Sequence, residues 1–251
     1  MDHLAVEEPL EIRLAGYRVA VTMRTPGHDF DLATGFLLTE GIISSPADVA
    51  AVAYCSDPDQ DPAADGNIVN VNPRDPATVD PSRWQRHSFI SSSCGICGRA
   101  ALESVRAQAA PVSAGFSVRP TVLAGLGEAL SREQAVFART GGLHAAALFD
   151  PDGVLEVVRE DVGRHNAVDK VVGARIVGSG LDCEDSILMV SGRASFEVVQ
   201  KALMARIAVV VAVSAPSSLA VELARGSNLT LVGFLRDHRF NVYAAPQRIR
   251  M

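Results

Sequence analysis

Apolar and polar residues change their spacing several times along the chain. Around Gly16 they alternate, as Leu10-Glu11-Ile12-Arg13-Leu14 and again as Tyr17-Arg18-Val19-Ala20-Val21, the period-two pattern of a β-hairpin that Thr25-Pro26-Gly27 closes. The period then lengthens: Phe30, Ala33, Phe36 and Leu37 predict a helix capped by Asp29 or Asp31 and stopped at Gly41. Residues 55–83 hold Pro58, Pro62, Pro73, Pro76 and Pro81 among many aspartates, and predict a surface excursion with one short strand at 67–71. From about residue 115 the chain turns rich in Ala, Val and Leu. A helix is expected over 121–137, then a hairpin of 145–149 and 154–158 turned by Asp150-Pro151-Asp152-Gly153. Val168, Val172 and Ile176 form one stripe of a helix over 166–177.

The last third reads strand 187–190, helix 196–206, strand 208–213, helix 219–224 and strand 229–235. Right-handed crossovers make the three strands of such a β-α-β-α-β run parallel, so the loops leaving their C-terminal ends gather on one sheet edge. The expected fold class is therefore α/β, with a smaller N-terminal α+β region over residues 1–115 and an α/β domain over 116–251. The edge loops read Ser191-Gly192-Arg193-Ala194-Ser195, Ser214-Ala215-Pro216-Ser217-Ser218 and Arg236-Asp237-His238-Arg239. The first two open helices, whose unpaired N–H groups and dipole favour an anion, and Arg193, Arg236 and Arg239 converge there. Serines cap helices in many α/β proteins without a ligand, but this basic convergence points to a phosphate-rich small molecule. No Walker sequence is present, and Leu130 stands where a dinucleotide fingerprint begun at Gly125-Leu126-Gly127 needs glycine, which disfavours a P-loop or NAD fold.

Composition narrows the classes further. With 251 residues, 48% hydrophobic and 21% charged, the chain has the make-up of a globular protein. Its 23 basic and 29 acidic residues leave a net charge of −6, a poor match for general nucleic-acid binding. The longest apolar stretch, 207–213, is far short of the roughly 20 residues of a membrane span. The opening residues, Met1-Asp2-His3-Leu4-Ala5-Val6-Glu7-Glu8, are acidic where a secretory signal is basic, so a cytoplasmic location is expected. Four cysteines are too few for a disulfide scaffold, which makes a close pair a metal-binding or reactive one.

That pair lies in Ser91-Ser92-Ser93-Cys94-Gly95-Ile96-Cys97-Gly98-Arg99. Arg99 and a helix starting after Gly98 favour the thiolate. Half of a zinc site, completed by Cys55 and Cys183, is one reading, and a dithiol redox centre another. An exposed nucleophilic thiol on a loop fits the flanking serines and glycines better than either. A zinc deaminase is excluded: His144 follows the cysteines, Ala146 stands where the glutamate belongs and Ser93 replaces the proline.

With these residues in view, the chain resembles the FdhD family of formate dehydrogenase accessory sulfurtransferases. The resemblance runs through Thr25-Pro26-Gly27-His28-Asp29, Thr34-Gly35-Phe36-Leu37-Leu38-Thr39-Glu40-Gly41, Ser93-Cys94-Gly95-Ile96-Cys97-Gly98 and Thr140-Gly141-Gly142-Leu143-His144-Ala145. It continues through Glu160-Asp161-Val162-Gly163-Arg164-His165-Asn166-Ala167-Val168-Asp169-Lys170, Ser191-Gly192-Arg193 and Asn241-Val242-Tyr243, and excludes the 55–83 excursion. It implies a cytidine deaminase-like α/β sandwich, usually a homodimer, that takes persulfide sulfur from a cysteine desulfurase and passes it to the molybdenum (or tungsten) bis-guanine-dinucleotide cofactor of formate dehydrogenase. That cofactor, Mo-bis(molybdopterin guanine dinucleotide), is a bound substrate on this view, and no resident metal or permanently held cofactor is expected.

The resemblance places the persulfide on Cys94 with Cys97 beside it, and the cofactor on Phe234, Leu235, Arg236, Asp237, His238 and Arg239. Ser191, Gly192, Arg193 and His165 of the same edge join this expected set. The alternative function is a non-catalytic chaperone that only binds the cofactor. His144 and His165 are ligand contacts or satisfied structural histidines, and Asp169, four residues beyond His165, is placed to pair with it. His28 and Glu40 are expected to be structural, and Cys55 and Cys183 to be packing thiols.

Overall fold

A computed structural model describes residues 2–55, 66–81, 105, 109–113, 115–179 and 183–250. The N-terminal hairpin forms as the alternation predicts: β1 (Glu8–Leu14) and β2 (Tyr17–Arg24) are antiparallel, turned by Ala15 and Gly16 at positive φ. Helix α1 (Asp29–Thr39) follows. Neither expected aspartate caps it. His28 occupies the cap position in a left-handed conformation and makes no side-chain cap. Asp29 is instead drawn to the buried guanidinium of Arg24 at 2.9 Å, and Asp31 to Arg159 at 2.8 Å. Strands β3 (Val49–Tyr54) and β4 (Ile68–Pro73) complete a sheet of order β2-β1-β4-β3, in which β4 runs parallel to β1. Of the expected 55–83 excursion, residues 56–65 and 82–83 lie outside the described residues, while the short strand expected at 67–71 forms as β4 and, instead of lying on the surface, is paired on both sides by β1 and β3.

The second sheet has six strands in the order β10-β9-β8-β7-β5-β6. Helix α2 (Pro120–Glu133) ends earlier than the 121–137 reading, and a separate short helix α3 (Phe137–Thr140) follows. The hairpin of β5 (His144–Phe149) and β6 (Leu155–Asp161) leads into α4 (Arg164–Ser179). Then come β7 (Ile187–Val190), α5 (Phe196–Met204), β8 (Val209–Ala212), α6 (Ser218–Gly226) and β9 (Thr230–Arg236). The expected parallel run is correct: β7 pairs with β8 and β8 with β9, all parallel. β7 and β8 are buried at every position, which is why they read as unbroken apolar runs rather than as alternation. A last strand, β10 (Arg239–Ala244), turns back antiparallel on β9 as the sheet edge. Among the described residues the architecture is mixed α/β, with two sheets and six α-helices.

Helix α2 covers one face of the large sheet, and α4, α5 and α6 cover the other. Helix α1 lies on α4 and carries the small sheet with it. The crossing is made by glycine: a β-carbon on Gly35 would overlap the Asp169 carbonyl, and one on Gly173 the Asp31 carbonyl. So close an approach brings polar side chains of both helices into one buried cluster. Lys201, from α5, donates to Asp169 at 3.0 Å, to Thr39 at 3.1 Å and to Glu40 at 2.7 Å, while Thr39 donates to Asp169 at 2.6 Å. A second cluster sits at the start of α4, where Lys170 pairs with Asp161 at 2.7 Å and donates to the Thr25 carbonyl at 2.8 Å. Asn166 donates to the Met23 carbonyl at 2.8 Å and tightens the same joint.

Gly173→Ala should therefore destabilise the fold by about 3 kcal/mol or more, the upper range for overpacking against backbone. Gly125→Ala, on α2 where a β-carbon meets nothing within 4 Å, should be neutral or stabilise by up to about 1 kcal/mol. Urea unfolding midpoints of the two variants check the contrast.

Candidate functional site

Because β7, β8 and β9 are parallel and β5 and β6 form an antiparallel hairpin beside them, five connections meet at one edge of the large sheet. They are 141–144 before β5, 161–164 after β6, 191–195 after β7, 213–217 after β8 and the 236–239 turn after β9. Backbone hydrogen bonds fasten three of them together. Ser214 N–H donates to the Gly192 carbonyl at 3.2 Å, Ser217 N–H to Ala194 at 3.0 Å and Phe234 N–H to Ser214 at 3.1 Å. The β9–β10 turn is tight, with Asp237 and His238 both at positive φ. Phe234 also has positive φ, at 55°, where β9 bulges against β10. For a bulky residue that conformation costs about 1–2 kcal/mol, offset here by its bond to the neighbouring loop and by Arg236, whose guanidinium lies 5.9 Å from the Phe234 ring centroid.

At this edge, on the α2 side, lies a cleft of about 760 Å³, within the size range of small-molecule sites. Of the expected ligand residues, Ser191, Leu235, Arg236, Asp237 and His238 line it, and His144 joins them. Leu235 is a core residue whose edge forms the cleft floor, whereas residues 236–239 are exposed. Phe234, Arg239, Gly192, Arg193 and His165 belong to the same rim but do not line the cleft. The cleft wall is not uniformly basic: His238 lies 3.4 Å from Glu128, and Asp237 faces the same space.

The sequence reading missed the wall supplied by α2. Ala124, Gly127, Glu128 and Ser131 line the cleft at helical spacing beside the core stripe Leu123, Leu126 and Leu130. That row of small and polar positions was the available signal.

The two histidines occupy opposite flanks of the β7–α5 loop. His144 is half-buried and held below the usual histidine range by burial, and then by Arg164 and Arg193. A β-carbon on Gly192 would sit 3.4 Å from its Nδ1, so the loop crosses directly over the ring. His165 is pushed down to about 4, by burial first and then by Arg164 and Lys201. Its Nε2 lies 3.3 Å from Ser195 Oγ and 3.8 Å from the Glu197 carboxylate. The expected pairing of His165 with Asp169 does not form, because Asp169 is turned into the buried cluster with Thr39 and Lys201. Cys183 is buried in the core, as expected of a packing thiol, and Cys55 lies 3.9 Å from the Arg13 guanidinium. Cys94 and Cys97 lie outside the described residues.

A family model described as the FdhD/NarQ family matches residues 5–250. The chain belongs to the FdhD/NarQ family. Among its relatives is the sulfur carrier protein FdhD of Streptomyces coelicolor, 51% identical over 253 residues that cover 100% of this chain and 90% of that protein. The sulfur carrier protein FdhD of Nocardia farcinica is 50% identical, covering 99% of this chain and 88% of its own. A solved structure from Desulfotalea psychrophila, described provisionally as a formate dehydrogenase accessory protein, is similar with a TM-score of 0.77 at 25% identity. It is matched over 99% of this chain and 91% of that one. The family resemblance seen in the motifs is thus a property of the whole chain.

The depressed His165 has a consequence for stability. Above pH about 6.5 the ring is neutral in both folded and unfolded chains. Between 6.5 and about 4 the unfolded chain takes up a proton that the folded one refuses, so stability falls with acidification. The loss from this group should reach about 2 kcal/mol, discounted for its partial exposure. Denaturant titrations across that range should show a shallower acid loss in His165→Gln than in the unmodified protein.

Proposed function

We propose that this protein is a sulfur carrier acting as a sulfurtransferase: it accepts persulfide sulfur from a cysteine desulfurase and passes it to the Mo-bis(molybdopterin guanine dinucleotide) cofactor required by formate dehydrogenase. The observation that carries this reading is identity of about one half, over nearly whole chains, to proteins named sulfur carrier protein FdhD. The geometry supports it through the cleft at the edge of the parallel strands, the usual place for nucleotide ligands in α/β sheets. On this reading the protein works in the cytoplasm as a homodimer, on a scaffold similar to that of cytidine deaminases without their zinc chemistry.

The thiol step balances simply. The Cys94 thiolate attacks the terminal sulfur of the desulfurase persulfide; that sulfur moves to give Cys94–S–SH, and the desulfurase cysteine leaves as thiolate. Delivery as hydrosulfide follows if Cys97 attacks the inner sulfur, closing a Cys94–Cys97 disulfide whose two thiols supply the electrons. Incubation with a cysteine desulfurase and cysteine should add one sulfur by intact mass to the unmodified protein and none to Cys94→Ala. An unmodified chain that gains no sulfur would leave the cofactor-binding chaperone as the function.

The cofactor end of the reading is checked separately. Arg236 and Arg239 flank the exposed turn, and replacing each with Ala should weaken GDP binding by about 1.5–3 kcal/mol, the worth of a charge-assisted hydrogen bond. Calorimetric titration should also show affinity falling with salt. Equal GDP binding by the double variant would move the nucleotide site away from the β9–β10 turn.

A further inference from the structure

Gln134 ends α2 and lines the cleft, yet its side chain is only 8% exposed. Among the described residues its amide makes no hydrogen bond. Other polar groups on the wall are provided for: Ser131 and Asp237 are open to water, and Ser191 Oγ accepts the Ala145 N–H at 2.9 Å. A primary amide carries two donors and a carbonyl acceptor. Leaving such a group buried and unpaired is costly, so its place in a folded protein calls for a partner from outside the chain.

The turn that carries Gln134 is fixed from both sides. Its carbonyl accepts the Ala138 N–H at 3.0 Å, and Glu160 of β6 takes the N–H groups of Val136 and Phe137 on its two oxygens, at 2.9 and 2.8 Å. Held in this way, the Phe137 side chain lines the same cleft and stays 42% exposed. An aromatic ring left open to water on an anchored backbone gains by being covered. Leu130, Leu143 and Leu235 supply apolar lining, and Gly127 adds no side chain to the space, since even a β-carbon there would stand 3.6 Å from Leu235. Across the cleft, Glu128 Oε1 and His238 Nε2 are 3.4 Å apart, so the α2 wall meets the β9–β10 turn. An unbonded amide, an open aromatic ring and an apolar lining suit a flat heterocycle, paired along one edge and stacked on one face.

We propose that Gln134 and Phe137 form the ring-binding part of the cleft: the Gln134 amide donates to the carbonyl oxygen and accepts from the adjacent N–H of a guanine or pterin lactam, and Phe137 stacks on the ring. This rests on the reading that the sheet edge takes a guanine-dinucleotide cofactor, whose guanine and pterin rings share that lactam edge. It assigns the ring, rather than the phosphates, to two residues outside the expected set.

The test titrates GDP and 6-hydroxymethylpterin by calorimetry into the full chain, Gln134→Leu, Phe137→Ala and the Arg236→Ala/Arg239→Ala double variant. Affinity for at least one probe should fall about tenfold in Gln134→Leu, which removes the amide at similar size, and about tenfold in Phe137→Ala, with thermal unfolding midpoints little changed. Loss of GDP affinity alone assigns the guanine ring, and loss of pterin affinity alone the pterin ring. If both probes bind the two cleft variants as they bind the unmodified chain while GDP is still weakened in the double variant, the ring site is wrong and the nucleotide reading stands. An unmodified chain that binds neither probe overturns that reading and the ring site with it. Should Gln134→Leu not fold, nuclear magnetic resonance of the unmodified chain decides: the Gln134 side-chain amide signals must shift on adding GDP or the pterin, and unmoved signals reject the proposal.

Discussion

The approach of α1 to α4 is the constraint on which the rest of the molecule depends. Two helices cannot come this close with side chains at Gly35 and Gly173, and without the approach the Lys201 cluster would be neither assembled nor dry. Lys201, Asp169, Thr39 and Glu40 come from three helices, and each is a poor candidate for burial alone. Together they satisfy one another, while removing one member would strand the others in a medium that punishes unpaired charge. The small sheet is attached to the large one through this contact, so the position of the site rim relative to the N-terminal hairpin is set by backbone touching backbone.

This division explains why so many polar residues of the motif segments do not touch the cleft. Thr25, Asp161, Asn166 and Lys170 hold the start of α4 against the hairpin, and Asp31 and Arg159 tie α1 to β6. Their chemistry resembles that of an active site, with buried charge and short hydrogen bonds, but their partners are one another. Within the same stretch, Arg164 buries its Nε without an acceptor.

The parallel strands were legible because a strand buried on both faces leaves an unmistakable run, as in residues 187–190 and 209–212, and because crossover handedness then determines where the loops go. β10 was not legible. It is an edge strand with exposed Asn241 and Val242, and only its turn with β9 reveals it. Rim residues 191–193 and 236–239 could be read as one group from topology alone, but which of them face the cleft depends on side-chain direction, which no spacing rule supplies. The pairing assumed for His165 and Asp169 failed for a related reason: an i, i+4 relation says that two side chains are neighbours, not that neither has a better partner elsewhere. Asp169 had Lys201, from a helix more than thirty positions later.

The bonded loops of the rim have a wider meaning. Hydrogen bonds from Ser214 to Gly192, from Ser217 to Ala194 and from Phe234 to Ser214 carry the pairing of the parallel strands past their ends. A loop left free until a ligand arrives has to be ordered at that moment, at a cost in entropy. Here the ordering is done during folding, so a ligand meeting the rim immobilises only itself and the exposed arginine side chains. A rim ordered in advance offers fixed shape and charge rather than a surface that must close on whatever meets it.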